Sequence, residues 1–241
     1  MKEILSRDNP TIKEWAKLKQ KKYIDQNGEV LLEGLKLIND AEARGVEFTA
    51  VCTNFVVDEE DFKCPVYKLS EQAFNVLSDT QNSQGIIAIA KMSKYKFTLP
   101  KGNFLVLDNI GDPGNLGTII RTAVACNFTE IYCINCVDYR NDKVLRATMG
   151  AVFDCSIMQI SSEQAEQLKA YKLFCADMKG QNVFNIDKPT KPFGIVMGNE
   201  ARGISPEIEL LCSEQVSLPM ENRIESLNVA VACGILMYLL K

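Results

Sequence analysis

The 241-residue sequence contains no histidine. Imidazole is the usual general base near neutral pH and the commonest metal ligand, so Ser-His-Asp and Cys-His nucleophiles and His-bearing zinc sites are excluded. No apolar run approaches the ~20 residues that a membrane span needs, and the opening residues MKEILSRDNP lack the apolar stretch of a signal peptide. The expectation is therefore a cytoplasmic chain with no membrane and no metal. An overall excess of positive charge is also missing: the net charge is -4, which argues against a protein that is basic all over, as many non-specific nucleic-acid binders are. Nine cysteines at irregular spacing in a chain of this length, without an export signal, read as reduced and mostly buried thiols.

What is present is uneven. Between Met1 and Lys22 seven basic residues (Lys2, Arg7, Lys13, Lys17, Lys19, Lys21, Lys22) face three acidic ones (Glu3, Asp8, Glu14). That basic face suits either a solvated helix or an anionic partner. The spacing predicts a helix over 6–23 with Pro10 in its first turn, a turn at Asn27-Gly28, a helix over 34–44, a strand over 48–53, and further α/β alternation through 66–69, 71–77 and 85–90. The polar segment SKYKFTLPKGN, residues 93–103, then separates two patterned blocks, and we place a domain boundary there, giving domains 1–95 and 96–241. The second block reads as strand 103–108, glycine loop, helix 117–126, strand 130–135, helix 143–149, strands 173–176 and 194–197, and a C-terminal helix over 226–240. Strands alternating with helices predict a mostly parallel sheet covered on both faces, with ligands bound at the carboxyl ends of the strands.

Three loops lie at such ends. The first, DNIGDPGNLGTIIRTA from Asp108, follows a hydrophobic strand and carries Gly111, Gly114 and Gly117. Its Gly-x-x-Gly-x-x-Gly spacing departs from the dinucleotide fingerprint, which leaves a nicotinamide-linked dehydrogenase poorly supported, while Arg121 is placed to meet an anion at the helix start. The second, GIVMGNEARGIS from Gly194, has the glycine separation of a Walker loop, but Ile204 stands where the lysine is required. What remains is a carboxylate, Glu200, and Arg202 on a loop after a buried strand. The third is LPMENRIESLNVAVACGILMYLL from Leu218, where Pro219 interrupts a regular ladder and Ser226 is an N-cap candidate for an apolar helix, one suited to burial against a partner subunit. Cys133-x-x-Cys136 has no second pair to complete a zinc site and sits in a strand-like run, which favours core packing.

Together the three loops resemble the motifs of the SpoU (TrmH-type) branch of the SPOUT RNA methyltransferases. The first matches through Asn115 and Arg121 in NLGTIIR, the second through Gly198-Asn199-Glu200-Ala201-Arg202-Gly203, and the third through Pro219-Met220 and Glu225-Ser226-Leu227-Asn228. Ala201 and Asn222 stand where that family usually has glycine, which bears on the local backbone because glycine is wanted where φ is positive. The N-terminal stretches SRDNPTIKEWAKLKQKKY and LLEGLKLINDA resemble the substrate-binding domain of ribosomal RNA methyltransferases of this branch, a small α/β domain of ribosomal-protein (L30e-like) type.

The resemblance implies an α/β chain whose C-terminal parallel sheet carries a deep trefoil knot, a homodimer, and S-adenosyl-L-methionine as cofactor. It implies that Gly198, Leu218, Pro219, Met220 and Leu227 bind the cofactor, and that Asn115, Arg121, Glu200, Ser226 and Asn228 form the catalytic and RNA-facing group. The activity implied is methyl transfer to a ribose 2'-hydroxyl, in ribosomal RNA in preference to transfer RNA. The departures at Ala201 and Asn222 leave a catalytically silent RNA-binding relative as the alternative. A guanidinium holds its proton to a pKa above ~12, so the expected work of Arg121 is anion recognition next to the reacting oxygen, not proton abstraction.

Overall fold

The computed structural model describes residues 1–189, 192–221 and 226–241. Asn222 and Glu225, which figure in the third motif, lie outside the described residues. The chain forms two compact units, one of Met1–Ser93 with Arg140–Phe153 and one of Lys94–Tyr139 with Asp154–Lys241.

The first unit is built on a five-stranded mixed sheet of β1 (Lys2–Ile4), β2 (Glu29–Glu33), β3 (Phe48–Thr53), β4 (Val66–Leu69) and β5 (Ile86–Lys91), in the order β1-β4-β3-β5-β2. Strand β5 runs antiparallel to both β3 and β2, and β1, β4 and β3 are mutually parallel. The helix expected over 6–23 is broken. Helix α1 (Pro10–Ala16) passes through a 3-10 turn, Lys17–Lys19, to an extended Gln20 and then α2 (Lys21–Asn27). The reason is in the spacing of Ile12, Leu18 and Ile24, which are all buried. Residues six apart on a straight helix fall on three different faces at about 100° per residue, and the break at Gln20 lets all three turn inward. Helices α3 (Leu35–Ala43) and α4 (Glu71–Leu77) complete this part of the unit, together with α6 (Asp142–Thr148) from the later segment. Within it Arg146 bridges Glu33 and Asp142 at 3.4 and 2.8 Å, and Arg140 pairs with Asp25.

The second unit has a six-stranded, wholly parallel sheet: β6 (Phe104–Asp108), β7 (Glu130–Ile134), β8 (Ser156–Gln159), β9 (Lys172–Asn182), β10 (Phe193–Met197) and β11 (Glu214–Ser217), ordered β11-β9-β10-β6-β7-β8. Its central strands β6 and β10 are buried at every residue, as a sheet covered on both faces requires. Helices α5 (Pro113–Cys126), α7 (Ser162–Ala165), α8 (Pro206–Glu209) and α9 (Val229–Leu240) surround it. The α/β class and the parallel second sheet agree with the sequence pattern. Strands β1, β8 and β11 carry no periodic signal, because each is an edge strand of three or four residues.

Two helix starts differ from expectation. Helix α5 begins at Pro113, not at Gly117, because the Asp112 side chain accepts from Asn115 N at 2.7 Å and Pro113 fits the first helical position. Gly114 and Gly117 are therefore helical, and Arg121 stands two turns into the helix instead of one. Helix α9 begins at Val229, not after Ser226: the Asn228 side chain takes the cap, accepting from Ala230 N at 2.9 Å and Val231 N at 3.3 Å.

Candidate active site

At the carboxyl ends of β10 and β11, beside the middle of β9, lies a pocket of about 430 Å³, within the range of small-molecule sites. Its existence depends on an irregularity. Strands β9 and β11 pair in register up to Cys175 and Gln215, and the next pair is Gln181 with Val216, so Ala176–Gly180 bow out without a partner on β11. The excursion is pinned: Ser217 Oγ donates to Gly180 O at 2.8 Å, Lys179 N donates to Asp177 Oδ1 at 2.7 Å, and a Cβ on Gly180 would stand 2.5 Å from Val216 N. Only glycine lets the two backbones approach this closely.

The opposite wall is the loop that follows β10. Gly198 is crossed by the chain at Gly203, where a Cβ on Gly198 would stand 2.3 Å from the Gly203 carbonyl carbon. Asn199 and Gly203 exchange backbone hydrogen bonds of 2.9 and 2.8 Å, closing a five-residue hairpin with Gly203 at φ +71°. Ala201 has no positive φ; among the described residues the non-glycine positions that do are Asn109, Asn127, Asn135 and Met149. The left-handed turn that the loop needs falls on Gly203, so alanine at 201 is unstrained.

Of the positions singled out in the sequence, Gly198, Glu200, Leu218, Met220, Ser226 and Leu227 all line this pocket. Pro219 is exposed between two lining residues and does not line it. Asn115 and Asn228 stand outside the lining but bond to it in series: Asn228 Nδ2 donates to Asn115 Oδ1 at 2.9 Å, and Asn115 Nδ2 donates to Glu200 Oε1. The direction of this relay follows from the helix cap. Because Asn228 Oδ1 is held by the first N–H groups of α9, its amide nitrogen must face Asn115, whose own nitrogen is then left for the carboxylate. A chain of donors that starts at a helix N-terminus and ends on a carboxylate is polarised in one sense along its length. Arg121 is exposed on α5 and lies outside the pocket lining.

Several lining residues carry no signal in the sequence reading: Asp177, Met178 and Lys179 on the excursion, Ser217, and Val229, Ala232 and Leu236 on α9. The run ADMKG, polar where an apolar strand should continue and closed by glycine, is the cue for the first group. The Cys133-x-x-Cys136 pair belongs to the scaffold. Its hydrogen bond to Cys136, and then burial, push the Cys133 thiol well up, while Cys136 Sγ accepts from Ile110 N at 3.3 Å and donates to Leu107 O at 3.2 Å.

A wholly parallel sheet with a crevice at its carboxyl ends, lined by both apolar and polar side chains, defines a cofactor- or substrate-binding α/β domain. Residues 102–238 match the model of the SpoU rRNA methylase family, and residues 9–88 match an MRM3-like substrate-binding domain. The chain belongs to the SpoU rRNA methylase family. It is 31% identical to an uncharacterized tRNA/rRNA methyltransferase of Synechocystis sp., over 98% of this chain and 92% of that one. It is 29% identical, over the full length of both chains, to the 23S rRNA (guanosine(2553)-2'-O)-methyltransferase RlmP of Bacillus subtilis. The crystal structure of an AdoMet-bound rRNA methyltransferase from Sinorhizobium meliloti superposes with a TM-score of 0.88 at 28% identity, covering 99% of this chain and 96% of that one.

Proposed function

We propose that the protein is an S-adenosyl-L-methionine-dependent methyltransferase acting on a ribose 2'-hydroxyl of ribosomal RNA. The observation that carries this is that the second and third family motifs line one pocket, and the first is joined to it through the Asn228-Asn115-Glu200 relay. Its chemistry fits the cofactor. Leu218, Met220, Leu227 and Leu236 offer apolar contact, and Asp177, Lys179 and Ser226 offer partners for hydroxyl, amine and carboxylate groups. When bound, the cofactor supplies an activated methyl on sulfur.

The protein's share is to align one oxygen with that methyl and dispose of one proton. Glu200, held by Asn115, and Ser226 are the polar groups in the pocket wall placed to orient the hydroxyl. Arg121 binds the neighbouring phosphate bidentately and stabilises the charge that develops on the oxygen. The first unit, including α1 and α2 with their lysines, is the RNA-holding module. The deep trefoil knot and the homodimer implied by the resemblance belong to the same proposal. Val231, Ile235 and Tyr238 form an apolar stripe on the outer side of α9, exposed by 51, 39 and 55%, that a second copy would cover. A cytoplasmic location is supported by nine free thiols.

The test is mass-spectrometric mapping of ribose methylation in ribosomal RNA from cells with and without the gene, with in vitro transfer by the purified protein. Loss of one ribose mark is expected. A missing base methylation with every ribose mark intact would refute the 2'-O assignment. In the same assay Arg121→Lys is expected to lower turnover clearly, because an ammonium cannot make the bidentate contact. Full turnover by that variant excludes bidentate anion recognition.

A further inference from the structure

Resting on the methyltransferase reading, a second question is what holds Glu200 at the pocket wall. The residue is exposed on a five-residue hairpin tip and its own backbone has no strand to pair with. The hairpin is fixed from beneath by its first residue. The Asn199 side chain uses both ends: Oδ1 accepts from Ala201 N at 2.9 Å and Arg202 N at 3.2 Å, and Nδ2 donates to Asn109 O at 3.0 Å. The oxygen thus folds the tip, and the nitrogen ties the folded tip to the carboxyl end of the neighbouring strand β6.

That end is itself rigid. Asn109 adopts φ +58°, its N–H donates to Ile134 O at 2.9 Å, and its Nδ2 donates to Asp108 Oδ1 at 2.7 Å. Asp108 is fully buried, and its second oxygen accepts from Ser205 N at 2.7 Å, just beyond the hairpin. The two hydrogen bonds from the hairpin's flanks, Asn199 to Asn109 and Ser205 to Asp108, therefore pin both ends of the segment 199–205 to one dipeptide at the end of β6.

We propose that Asn199 is the positioning residue of this site: through its three side-chain hydrogen bonds it sets the hairpin that places the Glu200 carboxylate against Asn115 and keeps the 198–203 wall of the cofactor pocket in shape. Asn199 lines the pocket, but both ends of its side-chain amide are engaged with backbone, so it acts through Glu200 and the shape of the wall. A glutamate anchored at only one end of a free loop would spend its time among many rotamers, and alignment of the reacting groups would suffer accordingly.

Two substitutions separate the parts of this role. Asn199→Ala removes all three hydrogen bonds. Asn199→Asp keeps the acceptor for Ala201 and Arg202 but replaces the donor to Asn109 with an oxygen that faces a carbonyl. Measurements are made on the full-length protein well below the midpoint of each variant's thermal transition: S-adenosylmethionine affinity by calorimetry, single-turnover rate on the ribosomal RNA substrate, and KM for that RNA. For Asn199→Ala we expect affinity and rate each to fall about tenfold, the equivalent of one to two hydrogen bonds, with RNA KM little changed. Asn199→Asp should retain more cofactor affinity than Asn199→Ala, yet lose rate, because the tip is folded but unmoored. If Asn199→Ala does not fold, the comparison of Asn199→Asp with wild type decides alone. A lowered melting temperature with affinity and rate within twofold of wild type means that Asn199 merely supports the fold, and the inference is wrong. Wild-type protein that binds no S-adenosylmethionine removes the methyltransferase reading, and this inference with it.

Discussion

The two walls of the pocket are made in different ways. The wall on β9 and β11 comes from a departure from regular structure, five residues of β9 with no partner, fixed where Gly180 touches the neighbouring backbone. The wall on the 198–203 hairpin and the Asn115 relay comes from side-chain amides that hold backbone and carboxylate in place. Close packing of backbone tolerates no added atom, whereas a hydrogen-bonded network tolerates substitution in proportion to the bonds it loses. The first kind of feature should therefore respond abruptly to mutation and the second by degrees.

Gly198→Ala should have the largest effect, since it lies where the two kinds of wall meet. Its Cβ would stand 2.3 Å from the Gly203 carbonyl carbon and 2.4 Å from Ile204 N, both backbone, so the hairpin must lift off β10. Overpacking of this kind costs about 1–3 kcal/mol in stability. Displacement of the wall should weaken S-adenosylmethionine binding by about tenfold or more, measured by calorimetry. Undiminished affinity would show that the hairpin is softer than its hydrogen bonds suggest.

An intermediate effect is expected at Asn228, where cap and relay can be told apart. Asn228→Ala loses the N-cap of α9 and the bond to Asn115, so it should cost about 1 kcal/mol of stability as well as activity. Asn228→Asp keeps the acceptor that caps the helix and replaces the donor with a carboxylate oxygen that faces Asn115 Oδ1. Thermal melts of the aspartate variant should match wild type within a degree or two while its methyl-transfer rate falls severalfold, an effect of the size of one hydrogen bond. Equal rates in wild type and Asn228→Asp would reduce the relay to a by-product of capping.

The contrast between the walls also explains what could be read from the sequence. Buried strands such as FLVLD and FGIVM are legible as continuous apolar runs, and the helices between them by their period. So is the hairpin, whose glycines and Glu200 are close together in the chain. The excursion of β9 is not legible, because a bulge depends on which residues of β11 it fails to meet, and β11 itself is a four-residue edge strand. The relay's residues are legible one by one, but its direction is not. That depends on α9 starting at Val229, where Asn228 and not Ser226 wins the cap. The break at Gln20 was open to inference from the six-residue spacing of Ile12, Leu18 and Ile24, which a reading at helical period passes over.

Ala201→Gly should have the smallest effect, and that makes it a sharp test of the amide-built wall. If alanine at 201 had replaced a glycine needed for a left-handed backbone, restoring glycine would relieve strain and raise cofactor affinity. Ala201, however, has no positive φ, and its N–H is already held by Asn199 Oδ1 at 2.9 Å. Glycine would then add only freedom to the unfolded chain, a loss of about 0.4–1 kcal/mol in stability with no gain in the site. Calorimetry should find S-adenosylmethionine affinity within twofold of wild type, with a melting temperature a few degrees lower. A marked rise in affinity would mean that Ala201 impairs the pocket, and would move the chain toward the catalytically silent relatives that the departure from glycine first suggested.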